Sequence, residues 1–198
     1  MKNLLVVAPI LCIALLVTLS GPAVAQQTDV FSVNYYSYAN TSGAPDATVR
    51  VDNPGLTYGD VCSMIYVFTG DQQMAECCGC RNSHNDLRTH SVNTNFTNNP
   101  LTGVPPHRGV IKIVAASPNG ANCDPTTNVN PVADLRAWGT HIQLTNSGGP
   151  QTTYAVTETQ FLDAPLGATE LANLQAQCSF INILGSGHGI CTCGPESN

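Results

Sequence analysis

The chain has 198 residues, only 10% of them charged, and a formal net charge of −6; an average globular domain is about a quarter charged. It contains no Lys/Arg cluster, which excludes the basic patch that nucleic acid or an anionic membrane surface requires. Asn, Thr, Ser, Gly and Pro take the place of charges, so the expected surface is polar and largely uncharged, as in extracellular β proteins.

The first 25 residues read as a secretory signal peptide. Lys2 supplies the positive start, an apolar run follows from Leu4 to Leu19, and Ala23-Val24-Ala25 supplies the small-residue cleavage site. The run is shorter than the roughly 20 apolar residues a membrane span needs. Cys12 lies inside it, away from the cleavage site, so a lipoprotein anchor is not expected. Cleavage after Ala25 removes only Lys2 from 7 basic side chains, against 13 acidic ones, so −6 becomes −7. Residues 26–198 then form one secreted or periplasmic domain with no membrane span.

Along that domain, Val30 to Tyr38 reads as a strand with Phe31, Val33 and Tyr35 on one face. Ala47 to Asp52 alternates, with Ala47, Val49 and Val51 inward. Val61 to Phe68 is apolar on both faces and reads as a central buried strand. Asp71 is expected to cap a short helical turn through Glu76 that leads into the cysteines. Leu87 to Phe96 is a further strand, and Gly109 to Ala116 a core strand. Ser117 to Pro131 is a long Asn/Pro loop that Cys123 would pin. Arg136 to Thr145 and Thr152 to Leu162 form a hairpin through Asn146-Ser147-Gly148-Gly149-Pro150. The single helix comes last, with Thr169 as N-cap, Leu171, Leu174, Cys178 and Ile181 on one face, and Gly185 just past its end. The expected fold is mainly β: an antiparallel β-sandwich of about seven strands with one C-terminal α-helix, stapled by disulfides.

Eight cysteines outlast the signal: Cys62, Cys77, Cys78, Cys80, Cys123, Cys178, Cys191 and Cys193. An even count in an exported chain reads as four disulfides, with 105 connectivities open. Adjacent Cα atoms lie about 3.8 Å apart, too close for a relaxed bridge, so Cys77 and Cys78 need distant partners. The economical arrangement brings one or both of Cys191 and Cys193 to the Cys77–Cys80 segment. A zinc site of Cys77 and Cys80 with Cys191 and Cys193 is a competing reading, which an oxidising compartment opposes. A redox-active Cys77-x-x-Cys80 would need a helix after it, whereas Arg81 to Asp86 reads as a polar loop.

The search for other chemistry assigns no catalytic, cofactor or metal residue. Gly185-Ser186-Gly187-His188-Gly189 is not a nucleophile elbow, since Leu184 stands where the first glycine is needed. His84, His90, His107, His141 and His188 show no helical zinc-pair spacing. His90 and His141 read as solvent-facing strand residues, while His84 and His188 flank the cysteine segments and would border a surface metal site there. Tyr35, Tyr36 and Tyr38 offer a small aromatic platform of the kind that stacks on sugars, though a core-and-rim strand accounts for them as well. Asn40-Thr41-Ser42 and Asn95-Phe96-Thr97 match glycosylation sequons.

The segments Cys62 to Phe68, Asp71 to Met74, Glu76-Cys77-Cys78-Gly79-Cys80, Ser91 to Thr94, Asn99 to Gly103, Gly109 to Val114 and Cys191-Thr192-Cys193-Gly194 resemble a group of uncharacterised exported bacterial proteins with a CCxC cluster and a CxCG tail. The resemblance implies export and brings no activity or site residue with it. The expectation is a secreted or cell-surface structural or binding protein, not an enzyme, without a cofactor and with partners in the cell envelope or outside the cell. The competing expectations are a small extracellular hydrolase assembled from dispersed residues, and a thiolate metal protein.

Overall fold

The computed structural model describes residues 30–56, 59–127, 129–146, 152–184 and 191–193. The signal segment, Gly185 and the Gly-rich stretch with His188 lie outside them. Within the described residues the chain is mainly β, with nine strands in two antiparallel sheets and one C-terminal helix. The strands are β1 (Phe31–Ser37), β2 (Thr48–Asp52), β3 (Val61–Thr69), β4 (Met74–Asn82), β5 (Leu87–Ser91), β6 (Arg108–Ala116), β7 (Arg136–Asn146), β8 (Thr153–Gln160) and β9 (Leu162–Asp163); the helix is α1 (Ala168–Leu184). One sheet runs β4-β3-β6-β1-β9 and the other β5-β2-β7-β8.

Side-chain alternation builds three layers from these elements. Val61, Ile65 and Val67 of β3 join Ile111 and Ile113 of β6 between the sheets, where they meet Val49 and Val51 of β2. The alternate residues Cys62, Met64 and Tyr66 face the other way, toward Leu174, Cys178 and Ile181 of α1. The helix therefore covers the outer face of the five-stranded sheet, and β3 is buried on both sides. Among the described residues, no helix is long and apolar enough to cross a membrane.

Three local expectations need correcting. No helical turn follows Asp71: residues 71–73 turn a β3–β4 hairpin, and Met74 to Asn82 is strand. Pairing with an already buried β3 outweighs a weak capping signal, because the ladder satisfies every backbone group at once. Together with the separation of β9 from β8, this raises the expected seven strands to nine. Thr169 is not the N-cap. The helix begins at Ala168, and the first bond runs from the Leu171 N–H to the Gly167 carbonyl. Leu87 to Phe96 is strand only through Ser91; one π-helical turn, Val92–Phe96, follows, with the Ser91 hydroxyl accepting from the Thr94 N–H.

Candidate functional site

Strand β4 is the structural hub of the cysteines. Successive residues of a strand point to opposite faces, so the neighbours Cys77 and Cys78 diverge. Cys77 bonds Cys178 on the buried face of α1, while Cys78 and Cys80 bond Cys191 and Cys193. Cys62 bonds Cys123 and pins the Asn/Pro loop. All four bridges span Cα–Cα separations of 5.1 to 5.7 Å, inside the relaxed range. The expected link between the Cys77–Cys80 segment and the tail is present twice.

The tail residues 191–193 lie along the free edge of β4. Cys191 N–H donates to the Cys77 carbonyl, and the Asn95 amide of the π turn donates to the Thr192 hydroxyl at 2.6 Å. His90 lies buried beneath this contact, stacked on Phe96. Burial pushes its pKa down to about 4; hydrogen bonding to the Thr192 backbone works the other way, and the Arg88 charge adds to the lowering. Gly79 has a packing reason: a Cβ there would overlap the Cys123 carbonyl. A cavity of about 540 Å³ opens beside the bridges, lined in part by Arg81, Asp124 and Asn182.

Cys78, Cys80 and Cys193 place their sulfurs within 4.8 Å of one another, yet each is engaged in a disulfide. The four-thiolate zinc site expected from Cys77, Cys80, Cys191 and Cys193 is not assembled, since Cys77 faces the helix. His84 packs against Gly55 at the β4–β5 turn and does not line the cysteine cavity; His188 lies outside the described residues.

A second concave region lies where the β3–β4 turn meets the start of β6. Its first basin, about 650 Å³, is mostly apolar and includes Tyr35, Tyr36, Phe68, Gly109 and Lys112. Its second, about 450 Å³, is more polar and includes Asp71, Gln73, Asn99 and His107. Thr69, Gly70 and Arg108 border both, so the two form one groove. Lys112 sits 5.0 Å from the centre of the Phe68 ring and pairs with Glu170 of α1. Gly109 keeps the groove floor low, because a Cβ there would collide with the Phe68 carbonyl and the Tyr36 ring.

Behind the groove lies a buried acid. Glu76 is 2% exposed, and its Oε2 has no hydrogen-bond partner among the described residues. Burial raises its pKa to about 8, opposed by the backbone N–H of Asn98. Glu76 is therefore a neutral acid at pH 7. The Tyr36 phenol, which donates to the Phe68 carbonyl, is pushed far up by burial and then by the charges of Glu76 and Asp71.

The tyrosine platform divides. Tyr35 is 49% exposed in the groove, Tyr36 is core, and Tyr38 packs edge-on to Tyr154. Tyr38 (φ 56°) leaves the strand conformation, which ends β1 at Ser37. His90 and His141 are buried, contrary to the solvent-facing expectation. The His141 ring lies 3.9 Å from that of Tyr35, and its Nε2 lies 2.6 Å from the Thr159 hydroxyl rather than from a serine. Sequence reading passed over Phe68, Arg108, Gly109 and Lys112. A glycine opening an otherwise bulky core strand is the signal that pointed there, because it marks close backbone approach.

No protein-family model, curated protein or solved structure matches this chain.

Proposed function

We propose that the chain is an exported structural or binding domain without catalytic activity, and that the groove between β1, the β3–β4 turn and β6 is its ligand-facing surface. The observation that carries this reading is the groove itself. A half-exposed Tyr35 and the Phe68 ring lie next to Arg108, Gln72 and Asp71. Apolar rings beside a few convergent polar groups are the usual make-up of a ligand site. Such a surface suits a saccharide, whose C–H face lies on an aromatic ring while its hydroxyls reach the charged and amide groups. Export is supported by the four disulfides, which persist in oxidising compartments.

Titration calorimetry of the oxidised protein with a panel of soluble oligosaccharides tests the reading. Heat with at least one of them is expected, and Tyr35→Ala should abolish it while leaving the thermal melt in place. Silence across the panel, or binding indifferent to Tyr35→Ala, would overturn the groove assignment. Intact mass of the protein recovered from its host tests export separately. A chain starting at Gln26 that gains two hydrogens per bridge on reduction is expected. A chain that keeps its first 25 residues and carries free thiols would overturn export.

The sulfurs of Cys78, Cys80 and Cys193 favour one second reading, a thiolate metal site in the reduced chain. The same mass measurement under native conditions separates the two, since a metal adduct on a thiol form belongs only to this second reading.

A further inference from the structure

A strand at the edge of a sheet presents a row of backbone N–H and C=O groups to solvent. Natural proteins blunt such edges with short strands, charges, bulges or a covering segment. Three of the four sheet edges here follow that rule. The β4 edge is covered by residues 191–193, bonded through Cys78 and Cys80. The β9 edge is two residues long. The β5 edge is five residues long, carries Arg88 and ends in the π turn.

The fourth edge, β8, is left bare. It runs for eight residues, Thr153–Gln160, and pairs only with β7. Apart from half-covered Tyr154 and Ala155, all of its residues are exposed. It contains no proline, glycine or lysine, and five of its eight residues are Thr, Tyr or Val, types that favour strands. Its one charge, Glu158, is already paired with Arg50 across β7. The only irregularity in the β7–β8 pairing lies at the hairpin end, between Leu144 and Asn146, and leaves the rest of the edge regular. Val156 stands on this strand with 52% of its surface in solvent.

We propose that two copies of this chain join through β8, antiparallel, about a two-fold axis at Val156. Three points select a second copy. A two-fold axis perpendicular to a sheet must bring one residue opposite itself, and centring on Val156 buries the exposed apolar side chain against its own kind. The same register places Tyr154 opposite Glu158, Thr153 opposite Thr159 and Ala155 opposite Thr157, so no like charges meet. A parallel pairing would set Glu158 beside Glu158 in the same sheet. The product is one continuous eight-stranded sheet with both β8 edges satisfied. The inference goes beyond the groove reading and stands without it, since the groove lies on the other sheet.

Sedimentation equilibrium of the oxidised protein, from about 1 μM to about 1 mM, spans the range of interfaces at the small end of the specific class. A monomer–dimer equilibrium is expected. Val156→Lys should weaken it at least about tenfold, because two ammonium groups then meet at the axis. Val156→Cys should form a reducible cross-linked dimer, since directly opposed residues bring their Cβ atoms near disulfide range. If Val156→Lys perturbs the circular dichroism, the Val156→Cys cross-link decides. A monomer throughout the range would overturn the proposal. So would a dimer that the lysine leaves intact and the cysteine fails to cross-link, which would place association on another surface or with another partner.

Discussion

The β4 edge of the five-stranded sheet and the β8 edge of the four-stranded sheet begin as the same object, a strand with half of its backbone groups unpaired. The chain treats them differently. At β4 three cysteines in four residues fasten the strand to the helix and the tail, and Gly79 lets the pinned Cys123 loop close over it. At β8 there is no covalent link, and the strand rests on β7, an ion pair and a few hydroxyl bonds. The difference shows where order is bought by cross-links and where it is left open. Long-range bridges act on the unfolded chain and hold an edge permanently, whereas an exposed edge stays available for pairing.

The largest test of that comparison removes the tail bridges. Cys78–Cys191 and Cys80–Cys193 each join residues 113 apart and close nearly the same loop. Losing either one is expected to cost about 2 kcal/mol, because its neighbour still closes the long loop; losing both should cost about 5 kcal/mol or more. Denaturant unfolding of Cys78→Ala/Cys191→Ala, of Cys80→Ala/Cys193→Ala and of the fourfold variant measures this. Equal, additive costs would show that the bridges act independently.

Next is the buried acid on the same strand. The Glu76 pKa lies near 8 in the folded protein against 4.5 unfolded. Between those values the unfolded chain has released a proton that the native state keeps, so stability falls as pH rises. The loss is on the order of a few kcal/mol, at about 1.4 kcal/mol per pH unit. His90 acts on the acid side. Its pKa near 4, against 6.5 unfolded, means that stability falls as pH drops through that interval. The two slopes oppose one another between about 4.5 and 6.5, where a stability plateau is expected. Melts from pH 3 to 9 should show that plateau, and Glu76→Gln should flatten only the alkaline side. A wild-type curve flat above pH 6.5 would contradict the burial argument.

Gly79→Ala comes third, at about 1 to 3 kcal/mol from overpacking against a loop that Cys62–Cys123 prevents from retreating. Releasing that loop with Cys62→Ala/Cys123→Ala should reduce the penalty of the alanine, read as a double-mutant cycle in the same melts. The smallest effect belongs to the bare edge. Arg50→Ala breaks a half-exposed pair with Glu158 and should cost less than about 1 kcal/mol. A cost comparable to that of a bridge would mean that β8 is held far more firmly than its exposure indicates.

Periodicity made β2, β3 and β6 legible in advance, since Val49 and Val51, the two-sided run through Ile65, and Ile111 with Ile113 carry their burial in their own pattern. The helix face of Leu174, Cys178 and Ile181 was legible for the same reason. Strand β4 was not. Cys77, Cys78 and Gly79 have no strand pattern of their own, and only pairing with β3 makes them one. The groove was equally hidden, because Tyr35, Phe68, Asp71 and Arg108 come from four separate segments that meet only once β1, β3 and β6 are side by side.

By itself the sequence determined the mainly β class, the need of Cys77 and Cys78 for separate distant partners, and the surface poor in charge. These are local properties, set by spacing, side-chain type and the 3.8 Å step between Cα atoms. Only the tertiary structure decided which cysteine meets which, that Glu76 and His90 are buried, and that β8 alone has an open edge. Each of those depends on contacts between segments far apart in the chain, and burial and pairing exist only after the sheets have assembled.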